Sequence, residues 1–165
     1  GQEPDMIQKL QDEDALPTQL YLSTNAADYE SFMKINKPKY DDSWERWNKT
    51  LDMLKHLNTR TVLRITLIKD YNDQRESIPA FAEMFRKASP HFIEIKSYMH
   101  IGRSTNRLEH ENMLEMDEVK NFSEEIAKQS KIFSIMDESI ISRISILQNN
   151  ERFIDRFIST YANTI

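Results

Sequence analysis

An α/β fold built on a parallel sheet is what this sequence predicts. Three observations carry that expectation. Residues 18–23, 60–69 and 92–102 alternate with a period of two, as strands do. Segments with helical spacing separate them, and strands joined by helices run parallel. Each strand also has a polar face: Gln19, Tyr21 and Ser23 in the first, Arg64 and Thr66 in the second, and Glu94, Lys96, Tyr98 and His100 in the third. Parallel sheets are normally apolar on both faces. A polar row inside one is costly unless it lines a wet, occupied cavity, so this face is where function is sought.

The elements follow in order. Residues 6–14 read as a short charged helix or linker. The first strand, Thr18 to Ser23, sets Leu20 and Leu22 on its apolar face. A helix from Asp28 to Ile35 has Tyr29, Phe32 and Met33 spaced for one side. Asn36-Lys-Pro-Lys39 ends it, because the residue before proline avoids helix. Ser43 is the expected N-cap of the next helix, and Arg46 at its third position rules out a capping box. Trp44, Trp47, Leu51, Leu54 and Leu57 form that helix's core stripe. The second strand, Arg60 to Lys69, places Thr61, Leu63, Ile65 and Leu67 on one face. Ser77 opens a helix with Ile78, Phe81, Phe85 and Ala88 inward, and Pro90 leads into the third strand, Phe92 to Gly102.

No period is visible from Ile101 to Met116, and a loop this long in a compact domain is usually functional or disordered. Asp117 can cap a helix carrying Val119, Phe122 and Ile126. Residues 132–136 and 140–147 read as two further strands, the first at the sheet edge. Asn149 or Asn150 is expected to cap a last helix with Phe153, Ile154, Phe157, Ile158 and Tyr161 on one face. Right-handed crossovers would set the three parallel strands side by side. Ser23, Lys69 and His100 to Arg103 would then lie at the carboxyl rim, where ligands bind.

Composition bounds the function. With 165 residues, 39% of them hydrophobic and 30% charged, the chain suits one domain with a real core. A net charge of -5 argues against a general nucleic-acid-binding surface, so an RNA substrate would need local basic positions. The chain has no cysteine. That excludes disulfides, thiolate metal ligands and an iron–sulfur cluster held by this chain alone. No His, Asp and Glu cluster has metal-site spacing, so no metal is expected. The two glycines, Gly1 and Gly102, leave no glycine-rich phosphate loop. No apolar run reaches transmembrane length and the amino terminus does not look like a signal peptide, so the expectation is a cytoplasmic protein without membrane contact.

Several strings carry a resemblance. They are Leu16-Pro-Thr-Gln-Leu-Tyr-Leu-Ser23, Trp44-Glu-Arg-Trp47, Thr59-Arg-Thr-Val-Leu-Arg-Ile-Thr-Leu-Ile-Lys69 with Tyr71-Asn72, and Phe92-Ile-Glu-Ile-Lys-Ser-Tyr-Met-His-Ile-Gly102 with Arg107-Leu108 and Glu111-Asn-Met113. In this order they resemble the C-terminal half of the radical S-adenosylmethionine (SAM) domain of tRNA 4-demethylwyosine synthases. The likeness runs from about residue 1 to about residue 147, and its most specific part is the third-strand string with the loop after it.

The resemblance implies the C-terminal half of a partial (β/α)6 barrel. Residues 1–148 would supply parallel strands with helices outside and the C-terminal strands, and residues 149–165 a helix packing on them. It implies a lyase of wybutosine biosynthesis that condenses N1-methylguanosine in phenylalanine tRNA with pyruvate. SAM and a 4Fe-4S cluster would be its cofactors, the cluster held by a C-x-x-x-C-x-x-C motif in the N-terminal half of the barrel. Without that half as a partner the chain is expected to be inactive. The alternative is a non-enzymatic remnant half-barrel acting as an interaction module.

The resemblance assigns cofactor or substrate contacts to Ser23, Asn25, Arg64, Thr66, Glu94, Lys96, Tyr98, Met99 and His100, and tRNA phosphate contacts to Arg103 and Arg107. Plainer readings stand beside these. Glu94 and Lys96 also fit a surface ion pair, and Arg64 a salt bridge to Glu94. Asn25 fits turn chemistry and His100 a structural hydrogen bond. Lys96 also fits a Schiff-base lysine, which needs a depressed pKa. Lys37 and Lys39 read as a solvated loop. The sequence departs from the family pattern at Ser23-Thr-Asn-Ala-Ala27, where neutral Asn25 replaces an acidic ribose acceptor. It departs again at Lys69-Asp70, and at Gly102-Arg-Ser-Thr-Asn-Arg107, which lacks one arginine.

Overall fold

The computed structural model describes residues 2–158. In chain order the main elements are α1 (Pro4–Asp12), β1 (Gln19–Ser23), α2 (Tyr29–Asn36), α3 (Ser43–Leu54), β2 (Arg60–Leu67), α4 (Ile78–Ala88), β3 (Phe92–Ser97), α5 (Met116–Ser130), β4 (Phe133–Ser139) and β5 (Ile144–Asn149). The sheet order is β1-β2-β3-β5-β4, with the first three strands parallel and the last two antiparallel. The expected α/β layout is therefore present, with three parallel strands side by side.

One face of the sheet makes the core. Leu63, Ile65, Leu67, Ile93, Ile95 and Leu147 are fully buried and join one cluster with Trp47, Leu54, Phe81, Phe85, Val119 and Ile126 from α3, α4 and α5. These are the positions that the two periodicities select, since 3.6-residue and two-residue repeats each put apolar groups on one side. The core stripe of α3 behaves as read, except that Trp44 is only partly buried and packs against Tyr29 and Phe32. Burial at these sites contributes roughly 1.5–3 kcal/mol per large side chain.

The helix ends show where local chemistry differed from the expectation. Asp42, not Ser43, occupies the N-cap of α3, and the Ser43 hydroxyl instead accepts a hydrogen bond from the Tyr40 N–H. Asp117 lies in the first turn of α5, while Glu115 caps it in a capping box with Glu118. Asp28 caps α2 through its side chain, which accepts from the Ser31 N–H at 2.9 Å.

Two expectations are corrected. The third strand stops at Ser97 rather than Gly102. Its neighbour β2 ends at Leu67, opposite Ser97; the Tyr98 N–H donates to the Leu67 carbonyl at 2.7 Å, and past that bond no ladder remains to continue the strand. The expected terminal helix is absent over residues 150–158; Tyr161 lies outside the described residues. Helix here would need buried partners for its apolar side, yet Phe153 and Phe157 are 79% and 70% exposed. The backbone is held otherwise. Gln148 donates to the Ile154 carbonyl at 3.0 Å, and Arg60 donates to the carbonyls of Asp155 and Arg156.

The loop from Ile101 to Met116 is not featureless. It contains two 3-10 turns, Gly102–Asn106 and His110–Asn112. The chain passes into the first through Gly102 at φ 62°, a left-handed conformation that glycine adopts without a side-chain penalty. Edge strand β4 carries a bulge between Ile135 and Asp137. Among the described residues, no helix is long and apolar enough to cross a membrane.

Candidate active-site face and rim

The face of the sheet opposite the core is polar. Strand alternation brings Tyr21 and Ser23 of β1, Arg64 and Thr66 of β2, and Glu94 and Lys96 of β3 to the same side. In register, Ser23 neighbours Arg64, Arg64 neighbours Glu94, and Thr66 neighbours Lys96. Ile144 and Ile146 of β5 continue the rows beside Lys96 and Glu94.

Arg64 Nε donates to Glu94 Oε1 at 2.8 Å. Glu94 is buried, with its side chain 10% exposed, whereas Arg64 stays 38% exposed. The guanidinium also lies 4.8 Å from the centroid of the Tyr21 ring. Burial, reinforced by the charge of Glu94 and a hydrogen bond to it, holds the Tyr21 hydroxyl above its usual pKa. Tyr21, Arg64 and Glu94 thus form one group, and Tyr21 is a member that sequence reasoning did not single out. The signal was there: period two places it on the same face as Arg64.

Lys96 has no ion-pair or hydrogen-bond partner among the described residues. Glu94, two residues away on the same strand, is committed to Arg64 instead. Lys96 is half-buried, so its ammonium is a positive group available to an anion on this face. A carboxylate is a suitable partner for a lone ammonium that also offers three donors. Lower on the same face, Val62 and Phe92 are buried, and the Arg60 guanidinium sits 4.4 Å over the Phe92 ring. Residues 152–157 cross there, leaving a small cavity of about 180 Å³ bounded by Tyr21, Arg60, Phe92, Ile146 and Phe157. The open part of the face is the half nearer the carboxyl ends of the parallel strands.

The remaining expected site residues lie at the rim, not on the face. Asn25 follows β1, and its carboxamide oxygen accepts from the Thr66 N–H at 3.1 Å. Asn72, which is buried, ties this corner together. Its Nδ2 donates to the carbonyls of Asn25 and Thr66 at 2.9 and 3.0 Å, and its Oδ1 accepts from the Ile68 N–H at 2.7 Å. Tyr98 is buried past the strand end, with its hydroxyl 3.1 Å from His100 Nδ1. The His100 ring also lies edge-on to His110, and the backbone N–H of His100 donates to the sulfur of Met113 at 3.4 Å. Met99 is half-buried beside them. Lys69 turns to α5, where it pairs with Glu118 at 2.7 Å and its own pKa is raised by that contact.

Arg103 and Arg107 are exposed in the loop, and neither has a carboxylate partner among the described residues. Arg107, together with Asn25 and Tyr98, lines a rim cavity of about 470 Å³. Lys37, read from sequence as part of a solvated loop, lines the same cavity. The structure thus separates the expected site into a face group (Ser23, Arg64, Thr66, Glu94, Lys96) and a rim group (Asn25, Tyr98, Arg107). Met99 and His100 sit beside the rim group, and Arg103 stands apart.

Comparisons with known proteins show what the chain is similar to. The family model described as wyosine base formation matches residues 87–149, the span that includes β3 and the rim loop. The S-adenosyl-L-methionine-dependent tRNA 4-demethylwyosine synthase of Methanocaldococcus jannaschii is 41% identical over 92% of this chain and 45% of its own length. That of Pyrococcus abyssi is 37% identical over 92% of this chain and 44% of its own. A solved structure of TYW1 with a lysine-pyruvate adduct bound superposes with a TM-score of 0.76 at 40% identity, over 87% of this chain and 44% of that one. The chain therefore spans less than half the length of the curated relatives it matches.

Proposed function

This chain is a relative of the tRNA 4-demethylwyosine synthases, and we propose that it supplies one wall of such an enzyme's active site. The wall is the open polar face of β1, β2 and β3 with the rim above it. The reading is carried by one observation: the Lys96 ammonium has no partner among the described residues, while Glu94 and Arg64 beside it are locked together. In a folded domain an uncommitted, half-buried cation on a polar sheet face is a ligand contact in waiting.

The groups fit a cofactor with a carboxylate. Lys96 and the outer N–H groups of Arg64 would meet the carboxylate of SAM or of pyruvate, and Ser23 and Thr66 would add hydrogen bonds. Tyr98, Met99 and His100 would border the substrate at the rim. Arg103 and Arg107 would hold tRNA phosphate. SAM, when bound, supplies the radical chemistry. This chain's own part is to bind, orient and exclude water. An iron–sulfur cluster finds no ligand here, because the sequence has no cysteine. The cluster would come with the N-terminal half of the barrel, paired along β1, and without it the chain is inactive. The substrates would be N1-methylguanosine in phenylalanine tRNA and pyruvate.

The test is a reconstitution. This chain, joined to or mixed with a cysteine-bearing N-terminal half, is given SAM, reductant, pyruvate and methylguanosine-containing tRNA, and the digested tRNA is read by mass spectrometry. The tricyclic base is expected with the wild type and at least tenfold less of it with Lys96→Met. Full product with Lys96→Met would remove that residue from the site, and no product with any wild-type pairing would defeat the proposal.

A further inference from the structure

The loops beyond β1, β2 and β3 enclose the rim cavity of about 470 Å³, whose lining includes none of the open-face residues. Three cations, Lys34, Lys37 and Arg107, line it together with Tyr71, Tyr98 and Asn25, and no carboxylate does among the described residues. This is unusual for a chain of net charge -5. Arg46, Lys49, Arg64, Lys69 and Arg86 all have carboxylate partners, but the three cations of the cavity have none among the described residues. Lys34 Nζ lies 5.4 Å from the Tyr71 centroid, over the ring, so a base that stacks on this face must displace the ammonium to the side, where it can reach the phosphate. The oxygen of Asn25 is occupied by the Thr66 N–H, which leaves its amide N–H groups as donors.

We propose that this cavity binds a ribonucleotide, with its phosphate held by Lys34, Lys37 and Arg107 and its base stacked on Tyr71. The inference rests on the reading of the substrate as RNA and deepens it: the nucleotide flanks the base under reaction in the same strand. Phosphate draws the three cations, and an aromatic face accepts any base by stacking. SAM is the wrong occupant, because its sulfonium is repelled by three uncompensated cations.

The test is fluorescence anisotropy with a labelled anticodon stem-loop RNA and the full chain, read against salt. Lys34→Glu with Arg107→Glu is expected to weaken binding at least tenfold and to lower the slope of log affinity against log salt by about 1.4. The conservative pair Lys34→Arg with Arg107→Lys is expected to retain binding, and Lys55→Glu with Lys131→Glu, an equal charge change at the ends of α3 and α5, to leave it unaltered. Equal loss in the Lys55→Glu with Lys131→Glu control, or loss in the conservative pair, would assign the effect to general charge or to misfolding and overturn the proposal. Guanosine monophosphate is expected to displace the RNA at tenfold lower concentration than inorganic phosphate, and Tyr71→Leu to erase that difference. Equal potency in the wild type, or displacement by SAM, would overturn the nucleotide assignment. A wild-type chain that binds no RNA even at low salt would defeat the RNA reading itself; a wild type and charge-reversed pair that bind RNA equally would defeat only this cavity.

Discussion

Arg64 and Glu94 occupy equivalent positions on adjacent parallel strands and meet at 2.8 Å, but they are not equally wet. Glu94 is buried, whereas Arg64 is 38% exposed. Removing either partner should therefore have unequal effects. Arg64→Ala leaves a buried carboxylate without its counter-charge and should cost about 3 kcal/mol. Glu94→Gln leaves an arginine that can turn to water and keeps a hydrogen bond, so it should cost about 1 kcal/mol. Urea unfolding of the two variants checks the order. Equal losses would show that the pair is effectively solvent-exposed.

Asn72 joins the ends of two strands with one side chain. It is 3% exposed and makes three hydrogen bonds to backbone at Asn25, Thr66 and Ile68. Asn72→Ala leaves buried backbone groups without partners, at roughly 1–3 kcal/mol for each one that water cannot reach. We expect a loss of about 3 kcal/mol in chemical denaturation. Faster amide hydrogen exchange at Ile68 and Thr66 would accompany it. Unchanged exchange there would mean that the corner holds without the clamp.

His91 makes the fold acid-sensitive. Its pKa is lowered to about 4, chiefly by burial and then by the charges of Arg152 and Arg60. Its Nδ1 lies 3.1 Å from the Thr61 N–H, and it can accept that bond only while unprotonated. The folded pKa is below the unfolded value of 6.5, so the neutral ring's contribution is present above pH 6.5 and is lost as pH falls from 6.5 toward 4. After allowance for solvent screening, about 2 kcal/mol should disappear over that window. His91→Gln should flatten this part of the stability-versus-pH curve. A wild-type curve already flat from pH 6.5 to 4 would contradict the assignment.

Lys96 should separate stability from function. It has no partner to lose among the described residues, so Lys96→Met should change unfolding free energy by no more than about 0.5 kcal/mol. SAM or pyruvate binding in the reconstituted enzyme should fall at least tenfold. Isothermal titration beside thermal melts reads both. A large fall in stability with intact binding would make Lys96 a structural residue.

Much of the fold was legible because its signals are local. Period two selected β1, β2 and β3, and helical spacing selected the faces of α3, α4 and α5. The end of β3 was not legible. Alternation continues through Tyr98 and His100, but a strand lasts only as long as its neighbour, and β2 stops at Leu67. The apolar spacing of Phe153, Ile154, Phe157 and Ile158 imitates a helix, but nothing remains for it to pack against, and Arg60 and Gln148 take the backbone carbonyls. On the site, alternation correctly grouped Arg64, Thr66, Glu94 and Lys96. It could not show that Asn25 is partly consumed by Thr66, or that Lys34, Lys37 and Tyr71 gather with Arg107 at the rim. Those encounters bring together residues far apart in sequence.

The bulge in β4 gives the sheet a direction of growth. Between Ile135 and Asp137 the edge ladder is broken, and Asp137 and Glu138 follow at that margin. Irregular, acidic borders make poor templates for another backbone. The opposite margin, Gln19 to Ser23, has no such interruption and pairs in regular register with β2. An incoming strand is therefore steered to one side only, and any larger assembly built on this chain should extend past β1.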